Sequence, residues 1–280
     1  MNGKSALIVE GGAMRSVFSA GLLDGFLARE FNPFDFYIGV SAGAYNLATY
    51  LSGRSGMSLH IYSNIAINRQ FISYARFLRG GHLLDLDWIS KAITYEYQLD
   101  TVAAFKPDKP CYVGVTDVST GEAVYIQATP DNFEAVSKAT MALPLIYRDF
   151  PGLNGIAMTD GGVADGIPVA EAIRLGARRI MVIRSRHKNY VKKDTIWHSF
   201  IRWKLRHYTA LTRTMRERVK RFDATISLIR HPPAGVMIQE ICPPQSFAIG
   251  RFSRSRQSLL RGYETGYRLA DKTIDDWHSP

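Results

Sequence analysis

The chain has 280 residues, 46% hydrophobic and 21% charged, which is the composition of a globular protein with a substantial core. No apolar run approaches the roughly 18 residues that span a bilayer, and the first apolar stretch is too short for a signal peptide. Two cysteines, Cys111 and Cys242, are too few for a disulfide framework or a zinc site. We therefore expect a cytoplasmic protein without a cofactor or metal, and contact with the inner face of the membrane is left open at this point.

The formal charge of +10 is concentrated in one segment. Residues 184–221 contain thirteen Lys and Arg against Asp194 and Glu217, whereas the rest of the chain is close to neutral. The basicity is therefore a local feature and not a general property of the protein.

The first fifty residues predict alternating strands and helices. Residues 5–10 form an apolar run that ends in two glycines, and residues 17–29 have apolar side chains at helical spacing. Residues 36–40 predict a second strand and residues 42–51 a second helix. This order builds a parallel sheet, so the chain is assigned to the α/β class.

The remainder of the chain predicts further elements of both kinds. Residues 58–99 mix aromatic residues with helix-forming patterns and are interpreted as a helical insertion. The predicted strands are 111–118, 123–128, 156–159, 179–184 and 236–241, with a hairpin turn at 119–122 and the last strand at an edge near four prolines. The predicted helices are 131–142, capped by Asp131, then 168–175 and 254–277. Because no stretch resembles a flexible linker, one domain spanning residues 1–280 is expected.

A serine between two glycines follows the second predicted strand. Gly39-Val40-Ser41-Ala42-Gly43 has the G-x-S-x-G spacing of a nucleophile elbow, a sharp turn between a strand and a helix. Helix onset just after Ser41 directs backbone N–H groups and the positive end of the helix dipole toward the site. An ordinary strand-to-helix turn is the alternative interpretation.

A nucleophilic serine needs a base, and no histidine stands in a compelling setting. Ser41 follows only two predicted strands, which is too early for the usual order of an α/β-hydrolase triad. All seven histidines are interpreted as solvated or capping residues: His60, His82, His187, His198, His207, His231 and His278.

An aspartate is the other candidate base. Thr159-Asp160-Gly161-Gly162 places a carboxylate at the end of a short apolar strand, beside glycines that allow close approach. An Asx-type turn is the alternative interpretation. A free aspartate, with a pKa of about 3.9, is a weak base, so Asp160 needs desolvation and a hydrogen bond to the hydroxyl.

The glycine-rich loop after the first strand could supply the oxyanion donors that an ester-cleaving dyad requires. Gly11, Gly12 and Ala13 are small residues whose N–H groups can converge on an anion at a helix start. The loop lacks both the P-loop and the dinucleotide-binding spacings, so nucleotide binding is not expected. Arg15 either holds the loop or faces a substrate phosphate, and the sequence leaves both roles open.

Taken in order, the three motifs resemble the patatin-like phospholipase family, specifically its bacterial branch. The family pattern is roughly G-G-G-x-[RK]-G, then G-x-S-x-G, then D-G-[GA]. The loop matches with two departures, Ala13 and Ser16, while residues 39–43 and 160–162 match in full. Residues 139–144 are similar to the small-residue helix of the family that ends in proline, and residues 263–267 are similar to its C-terminal helix.

The resemblance implies a three-layer α/β/α sandwich with a mainly parallel central sheet and a Ser–Asp dyad that hydrolyses fatty-acyl esters. It implies that Ser41 attacks the carbonyl, that Asp160 accepts the proton, and that an insertion such as residues 58–99 lines an apolar acyl groove. The N–H groups of the loop would stabilise the oxyanion, although the Cβ of Ala13 restricts positive φ. The implied site residues are Ser41 and Asp160, the oxyanion donors Gly11, Gly12 and Ala13, and the supporting residues Arg15, Gly39, Gly43, Gly161 and Gly162.

The basic segment, residues 190–230, predicts an amphipathic helix. Its apolar residues recur every three or four positions from Trp197 to Phe222, with Arg202, Arg206, Arg213, Arg216 and Lys220 on other faces. One interpretation is a helix that packs on its own domain, and another is attachment to anionic phospholipid. Nucleic-acid binding lacks any supporting motif, and a catalytically weak or inactive lipid-binding relative is the further alternative that Ala13 and Ser16 keep open.

Overall fold

Eight strands form a mixed sheet in the computed structural model, which describes residues 3–93 and 97–279 except for the side chain of Trp197. Five of them run parallel in the order β3-β2-β1-β7-β8. The strands are β1 (Lys4–Val9), β2 (Phe36–Val40), β3 (Cys111–Asp117), β4 (Ala123–Gln127), β5 (Gly152–Leu153), β6 (Ile156–Asp160), β7 (Ala177–Ile183) and β8 (Met237–Ile241). The edge position expected for the last strand is confirmed.

Helices cover both faces of this sheet. They are α1 (Val17–Leu27), α2 (Ala42–Leu51), α3 (Met57–His60), α4 (Tyr74–Leu78), α5 (Leu86–Lys91), α6 (Thr101–Ala104), α7 (Phe133–Met141), α8 (Val169–Arg174), α9 (Ile196–Lys204), α10 (Thr209–Arg230), α11 (Arg256–Tyr267) and α12 (Ala270–His278). None of the helices in the described ranges combines the length and the apolar character needed to cross a bilayer.

The residues of β1 alternate between two hydrophobic clusters. Leu7 and Val9 pack with α1 and α2 on one face, whereas Ala6 and Ile8 pack with α8 and α10 on the other. All four side chains are fully buried. A strand that is buried on both faces belongs to the middle layer of a sandwich, so the predicted three-layer α/β/α architecture is confirmed.

Two strands of opposite direction share one edge of β3. The antiparallel hairpin partner β4 covers the other edge from Tyr112 to Thr116. The parallel strand β2 pairs with β3 as far as Gly114, and the antiparallel strand β6 pairs with it from Val115 onward. The carboxyl ends of β2 and β6 therefore converge at the middle of β3.

The C-terminal part of the chain packs on the N-terminal part through two glycines. A Cβ on Gly21 of α1 would lie 1.9 Å from the carbonyl oxygen of Tyr263, and one on Gly266 of α11 would lie 2.0 Å from that of Phe18. The two helix backbones touch directly where they cross, so a larger residue at either glycine would separate them.

The predicted insertion is helical but broken into short pieces. α3 continues into a π-helical turn over Ile61–Ile65, and α4 and α5 follow, each capped by the residue before it. The serine and aspartate caps Ser73 and Asp85 accept hydrogen bonds from backbone N–H groups. Residues 94–96 of the predicted insertion lie outside the described residues.

Asp131 does not cap α7, contrary to the prediction. The helix begins at Phe133, and Thr129 and Asn132 form a reciprocal turn before it. The N–H of Thr129 donates to Asn132 Oδ1 at 2.9 Å, and the N–H of Asn132 donates to Thr129 Oγ1 at 3.2 Å. Asn132 is the residue before the helix and its side chain caps no N–H of α7, while Asp131 remains exposed.

The basic segment is two helices and not one continuous stripe. The chain turns at residues 205–208, between α9 and α10. As a result Ile201 and Met215 pack in one cluster around Val118, whereas a straight helix would hold residues fourteen positions apart about 21 Å from each other.

The predicted terminal helix is also interrupted, at residues 268–269, between α11 and α12. The second piece carries Trp277 to Phe34, whose ring centroid lies 5.3 Å from that of the indole.

Candidate active site

Ser41 stands at the junction of β2 and α2 in a strained conformation. Its φ of 53° and ψ of −128° lie outside the regions that most side chains adopt, at a cost of about 1–3 kcal/mol. Its carbonyl oxygen accepts the first helical hydrogen bond, from the N–H of Ala44. Its own N–H donates to Thr140 Oγ1 at 2.8 Å, so α7 holds the turn from the opposite side.

Glycine is required on both sides of Ser41 by close packing. A Cβ on Gly43 would lie 2.3 Å from the carbonyl oxygen of Val9, and a Cβ on Gly39 would lie 2.6 Å from the Cα of Ala44. The turn is therefore wedged against β1 and against its own helix. This packing fixes the half-buried Ser41 side chain in a pocket next to the glycine-rich loop.

Asp160 ends β6 and lies buried in the same pocket. Its backbone is fixed on two sides, since its N–H donates to the Ala142 carbonyl oxygen and its carbonyl oxygen accepts from Thr116 Oγ1. Its carboxylate accepts a hydrogen bond of 2.7 Å from the N–H of Gly162, which is the Asx-type turn considered from the sequence. The carboxylate is nevertheless available to the pocket.

Burial controls the protonation of Asp160. Desolvation raises the pKa of this carboxyl to about 6, while the hydrogen bond from the N–H of Gly162 and the nearby hydroxyl of Ser41 oppose the rise. Gly161 keeps the strand end in place, because a Cβ there would lie 2.1 Å from the carbonyl oxygen of Gly114. A carboxylate with this pKa is a stronger base than a solvated aspartate.

The glycine-rich loop passes directly beside Ser41. A Cβ on Gly11 would lie 2.8 Å from the Cβ of Ser41, and one on Gly12 would lie 2.7 Å from the Cβ of Ser185. Within the described part of the chain, the N–H groups of Gly11, Gly12 and Ala13 donate no hydrogen bond. Three free donors at the start of a short helical turn are suited to an anion.

Ala13 adopts positive φ despite its Cβ. Its φ is 49°, in the left-handed region that glycine enters more easily. The departure from the three-glycine pattern therefore leaves the loop conformation possible and adds backbone strain of the same order as that at Ser41.

Two cavities of different character meet at Ser41. The polar one contains the loop, Ser41 and Asp160. The other is almost entirely apolar and reaches into the helical insertion, where its wall includes Ile61, Phe71, Leu84, Leu86 and Ile89. Ala13, Ser41, Leu143, Arg251 and Phe252 line both.

Comparison with known proteins decides the family. The sequence model described as "Patatin-like phospholipase" matches residues 7–173, and a model described as a domain of unknown function, DUF6363, matches residues 208–279. The uncharacterized protein YjjU of Escherichia coli (strain K12) is 34% identical over 255 residues, which cover 89% of this chain and 71% of that protein. The chain belongs to the patatin-like phospholipase family.

A solved structure, VipD from Legionella pneumophila, aligns over 98% of this chain and 67% of its own length, with a TM-score of 0.45 and 12% identity. The patatin-like phospholipases are a family of lipid hydrolases. The match over residues 7–173 contains the glycine-rich loop, the G-x-S-x-G turn and the D-G-G motif. The C-terminal segment that contributes β8, α10 and α11 lies outside that match.

The polar pocket of this patatin-like protein also contains four cationic residues that the sequence did not assign to the site. They are Arg186, Lys192, Arg218 and Arg251. The first three belong to the segment whose charge stood out, but no local pattern showed that it folds back over Ser41. Arg251 follows β8 and carried no signal in the sequence.

Thr140 is a further missed residue, although it lies in the stretch 139–144 that resembles the family. Its hydroxyl bridges the N–H of Ser41 and the carbonyl oxygen of Gly114. A local sequence pattern does not show this bridge, because it joins residues 99 positions apart.

One histidine, His198 of α9, lines the polar pocket. Of the solvated and capping roles expected for the histidines, His198 has the capping one, because it forms a capping box with Thr195. Burial, followed by the charge of Arg218, lowers the pKa of His198 to about 4, so the ring is neutral near pH 7. Among the described residues no group of three or more His, Cys, Asp or Glu side chains is placed to hold a metal ion.

Proposed function

We propose that this protein is a serine lipid acyl hydrolase, a phospholipase or lysophospholipase that uses Ser41 as nucleophile and Asp160 as base. The observation that carries the proposal is the meeting of a polar pocket and an apolar cavity at one strained serine. An acyl ester of a polar alcohol would fit both, because it has an apolar chain on one side of its carbonyl carbon and a polar group on the other.

In the proposed first step, the Ser41 hydroxyl oxygen attacks the ester carbonyl carbon while its proton passes to the Asp160 carboxylate. The carbonyl double bond opens to an oxyanion, which accepts hydrogen bonds from the N–H groups of Gly11, Gly12 and Ala13. Such donors contribute most when they are oriented beforehand. Their lack of other partners in the described chain supports this role.

In the second step the oxyanion collapses and the bond to the leaving alcohol breaks. Asp160, now protonated, donates its proton to that alcohol, and the acyl group remains on Ser41 as an ester. Asp160 then accepts a proton from water, whose oxygen attacks the acyl carbon. The fatty acid leaves, and the proton returns to Ser41.

The apolar cavity is proposed to hold the acyl chain. Its wall is formed by aliphatic and aromatic side chains from the insertion, including Ile61, Leu86 and Ile89, all buried. Burial of each CH₂ group of a chain contributes about 0.8 kcal/mol. The chain is thereby withdrawn from water while its carbonyl stays at Ser41.

Peripheral contact with anionic lipid is proposed through the basic segment. Arg206, Arg213, Arg216 and Lys220 are exposed, and the neighbouring helix α9 exposes Ile196 and Trp203. Arg202 contributes less, because its guanidinium donates to Asp194 at 2.7 Å. Cations around exposed apolar side chains are suited to a membrane surface.

The test is an acyl-release assay on wild type, Ser41→Ala and Asp160→Asn with monoacyl and diacyl glycerolipids. We expect release by wild type and a loss of at least about 100-fold in each variant, because nucleophile and base act in the same step. Release that survives Ser41→Ala would refute the dyad. Absence of release by folded wild type on every ester would support the alternative, an inactive lipid-binding relative.

A further inference from the structure

The polar pocket beside Ser41 carries a large surplus of positive charge. Its described wall contains five cationic side chains and two carboxylates. The cations come from distant parts of the chain: Arg15 follows the glycine-rich loop, Arg186 follows β7, and Arg218 lies on α10. Lys192 lies on the same loop as Arg186, between β7 and α9, and Arg251 lies on the loop between β8 and α11. Four separate elements thus bring cations to one cavity, against their mutual repulsion.

The two carboxylates of the pocket offset only part of this charge, with Glu10 acting on Arg15 and Lys192. Glu10 accepts the N–H of Ser185 at 2.6 Å and lies 4.0 Å from Arg184, which is outside the pocket wall. Asp160 is held by Gly162 and faces Ser41. Both acids are therefore committed to other groups.

Four of the five cations have no ion-pair partner among the described residues: Arg15, Arg186, Lys192 and Arg251. The Nε of Arg15 is buried and has no hydrogen-bond partner in the described chain. Arg186 lies only over a ring, with its guanidinium 4.6 Å from the centroid of Tyr190. Arg218 is partly satisfied, since it donates to the Lys193 carbonyl oxygen and lies 3.9 Å from Asp194.

The cations lie close enough to affect one another. Burial and the charges of Arg251 and Arg186 lower the pKa of Arg15 to about 10. Burial and the charge of Arg218 lower the pKa of Lys192 to about 8. A bound anion would offset both the free-energy cost of burying these charges and their mutual repulsion.

We infer that this cationic pocket binds the phosphate of the leaving alcohol, so that the preferred substrate is an acylglycerol phosphate with a net negative head group. The inference rests on the proposed function and deepens it. A guanidinium binds phosphate oxygens through paired N–H groups. The surplus cations repel a quaternary ammonium, which disfavours zwitterionic choline lipids.

The test compares three esters that share one acyl chain and differ only in the head: 1-acylglycerol 3-phosphate, 1-acylglycerophosphocholine and monoacylglycerol. Each is used below its critical micelle concentration, so that recruitment to a lipid surface plays no part. We expect kcat/KM for the phosphomonoester to exceed the other two by about 10- to 100-fold, the range expected of charge-assisted hydrogen bonds.

Arg186→Gln combined with Arg251→Gln should remove this preference mainly through a higher KM for the phosphomonoester. The change in kcat/KM on monoacylglycerol is the reference for this loss, because Arg251 also lines the apolar cavity. Arg261→Gln is the matched control, because Arg261 is an exposed arginine of α11 outside the pocket wall. It should retain the preference in full.

A second measurement separates the inference from the proposed function. Glycerol 3-phosphate and inorganic phosphate should raise the Tm of Ser41→Ala, and the Arg186→Gln/Arg251→Gln exchange in that background should abolish the rise. Acyl release without a head-group preference would overturn the inference while the hydrolase assignment stands. A Tm rise with free phosphate but no preference among the esters would assign the pocket to free phosphate and would overturn the head-group assignment. If no ester is cleaved, absence of a Tm rise overturns the inference as well.

Discussion

Val40 and Asp160 pair with consecutive residues on one edge of β3, Val40 with Gly114 and Asp160 with Val115. Because β2 and β6 run in opposite directions, their carboxyl ends meet there, and Ser41 follows Val40 directly. The serine and the aspartate are thus fixed by strand pairing and not by flexible loops. A nucleophile and base on such rigid elements hold their geometry well.

The activity should depend on pH through Asp160. Because the base must be ionised and burial raises its pKa to about 6, kcat/KM on a neutral ester should fall below pH 6 and reach a plateau above pH 7. The measurement is a rate profile from pH 4.5 to 8.5 with an uncharged substrate. A flat profile through pH 6 would show that Asp160 does not act with this pKa.

The contribution of Asp160 to the free energy of unfolding should fall as pH rises, whereas the activity should increase. A raised pKa in the fold means that the proton on Asp160 stabilises the folded state below its unfolded pKa and that this contribution is lost as pH rises through 6. By pH 8 the buried charge costs on the order of 3 kcal/mol of the free energy of unfolding. Asp160→Asn should therefore gain stability over wild type between pH 4 and 8. The measurement is urea unfolding of both proteins, and a constant difference between them would contradict this pKa.

Ser41→Gly should be more stable than Ser41→Ala. The φ of 53° is strained for any residue with a Cβ, and relief of about 1–3 kcal/mol exceeds the 0.5–1 kcal/mol or so that glycine costs through backbone entropy. A net gain on the order of 1 kcal/mol is expected in denaturant unfolding. Equal stability of the two variants would show that the turn stores no strain.

Two variants of the glycine-rich loop should distinguish a steric clash at Gly11 from backbone strain at Ala13. Gly11→Ala should abolish activity, because its Cβ would lie 2.6 Å from the Val40 carbonyl oxygen and 2.8 Å from the Cβ of Ser41. Ala13→Gly should keep or raise activity, because it removes a Cβ from a residue with φ of 49°. Both are checked by kcat on a short-chain ester, with circular dichroism to confirm folding. Loss of activity in Ala13→Gly would mean that the alanine itself is needed.

Filling the apolar cavity should change chain-length selectivity. Ala66 is buried in its wall, so Ala66→Leu should lower kcat/KM for long acyl chains and leave short ones nearly unchanged. Overpacking costs about 1–3 kcal/mol, so Tm is measured alongside. The same loss for all chain lengths would indicate a general defect and not an acyl site.

The sequence predicts the parallel centre of the sheet and the Ser41 turn because both depend on local signals. Apolar runs of strand length, Gly39 and Gly43, and the helix after Ser41 all lie within one short stretch. Asp160 could be recognised from its motif, but its place beside Ser41 depends on β6 pairing antiparallel to β3, which is a non-local choice.

The cationic side chains of the polar pocket could not be predicted from the sequence either, because their positions also depend on non-local contacts. Arg251 reaches Ser41 only because β8 pairs with β7 and returns the chain to the carboxyl ends of the strands. The turn at residues 205–208 arises from burial of Leu205 and Leu211 around Val118. The spacing of apolar residues continues through this turn, so the sequence predicts one helix. Tertiary packing, and not a local preference, ends α9.

The central claim is that Ser41 is a nucleophile whose base is Asp160, and covalent labelling with a fluorophosphonate tests it most directly. We expect one adduct, located on Ser41 by peptide mass spectrometry, with a labelling rate that rises with pH about an apparent pKa near 6. Asp160→Asn should lower that rate by about 100-fold or more and remove its pH dependence. Labelling of another residue, or labelling of Ser41 at an unchanged rate in Asp160→Asn, would contradict the account.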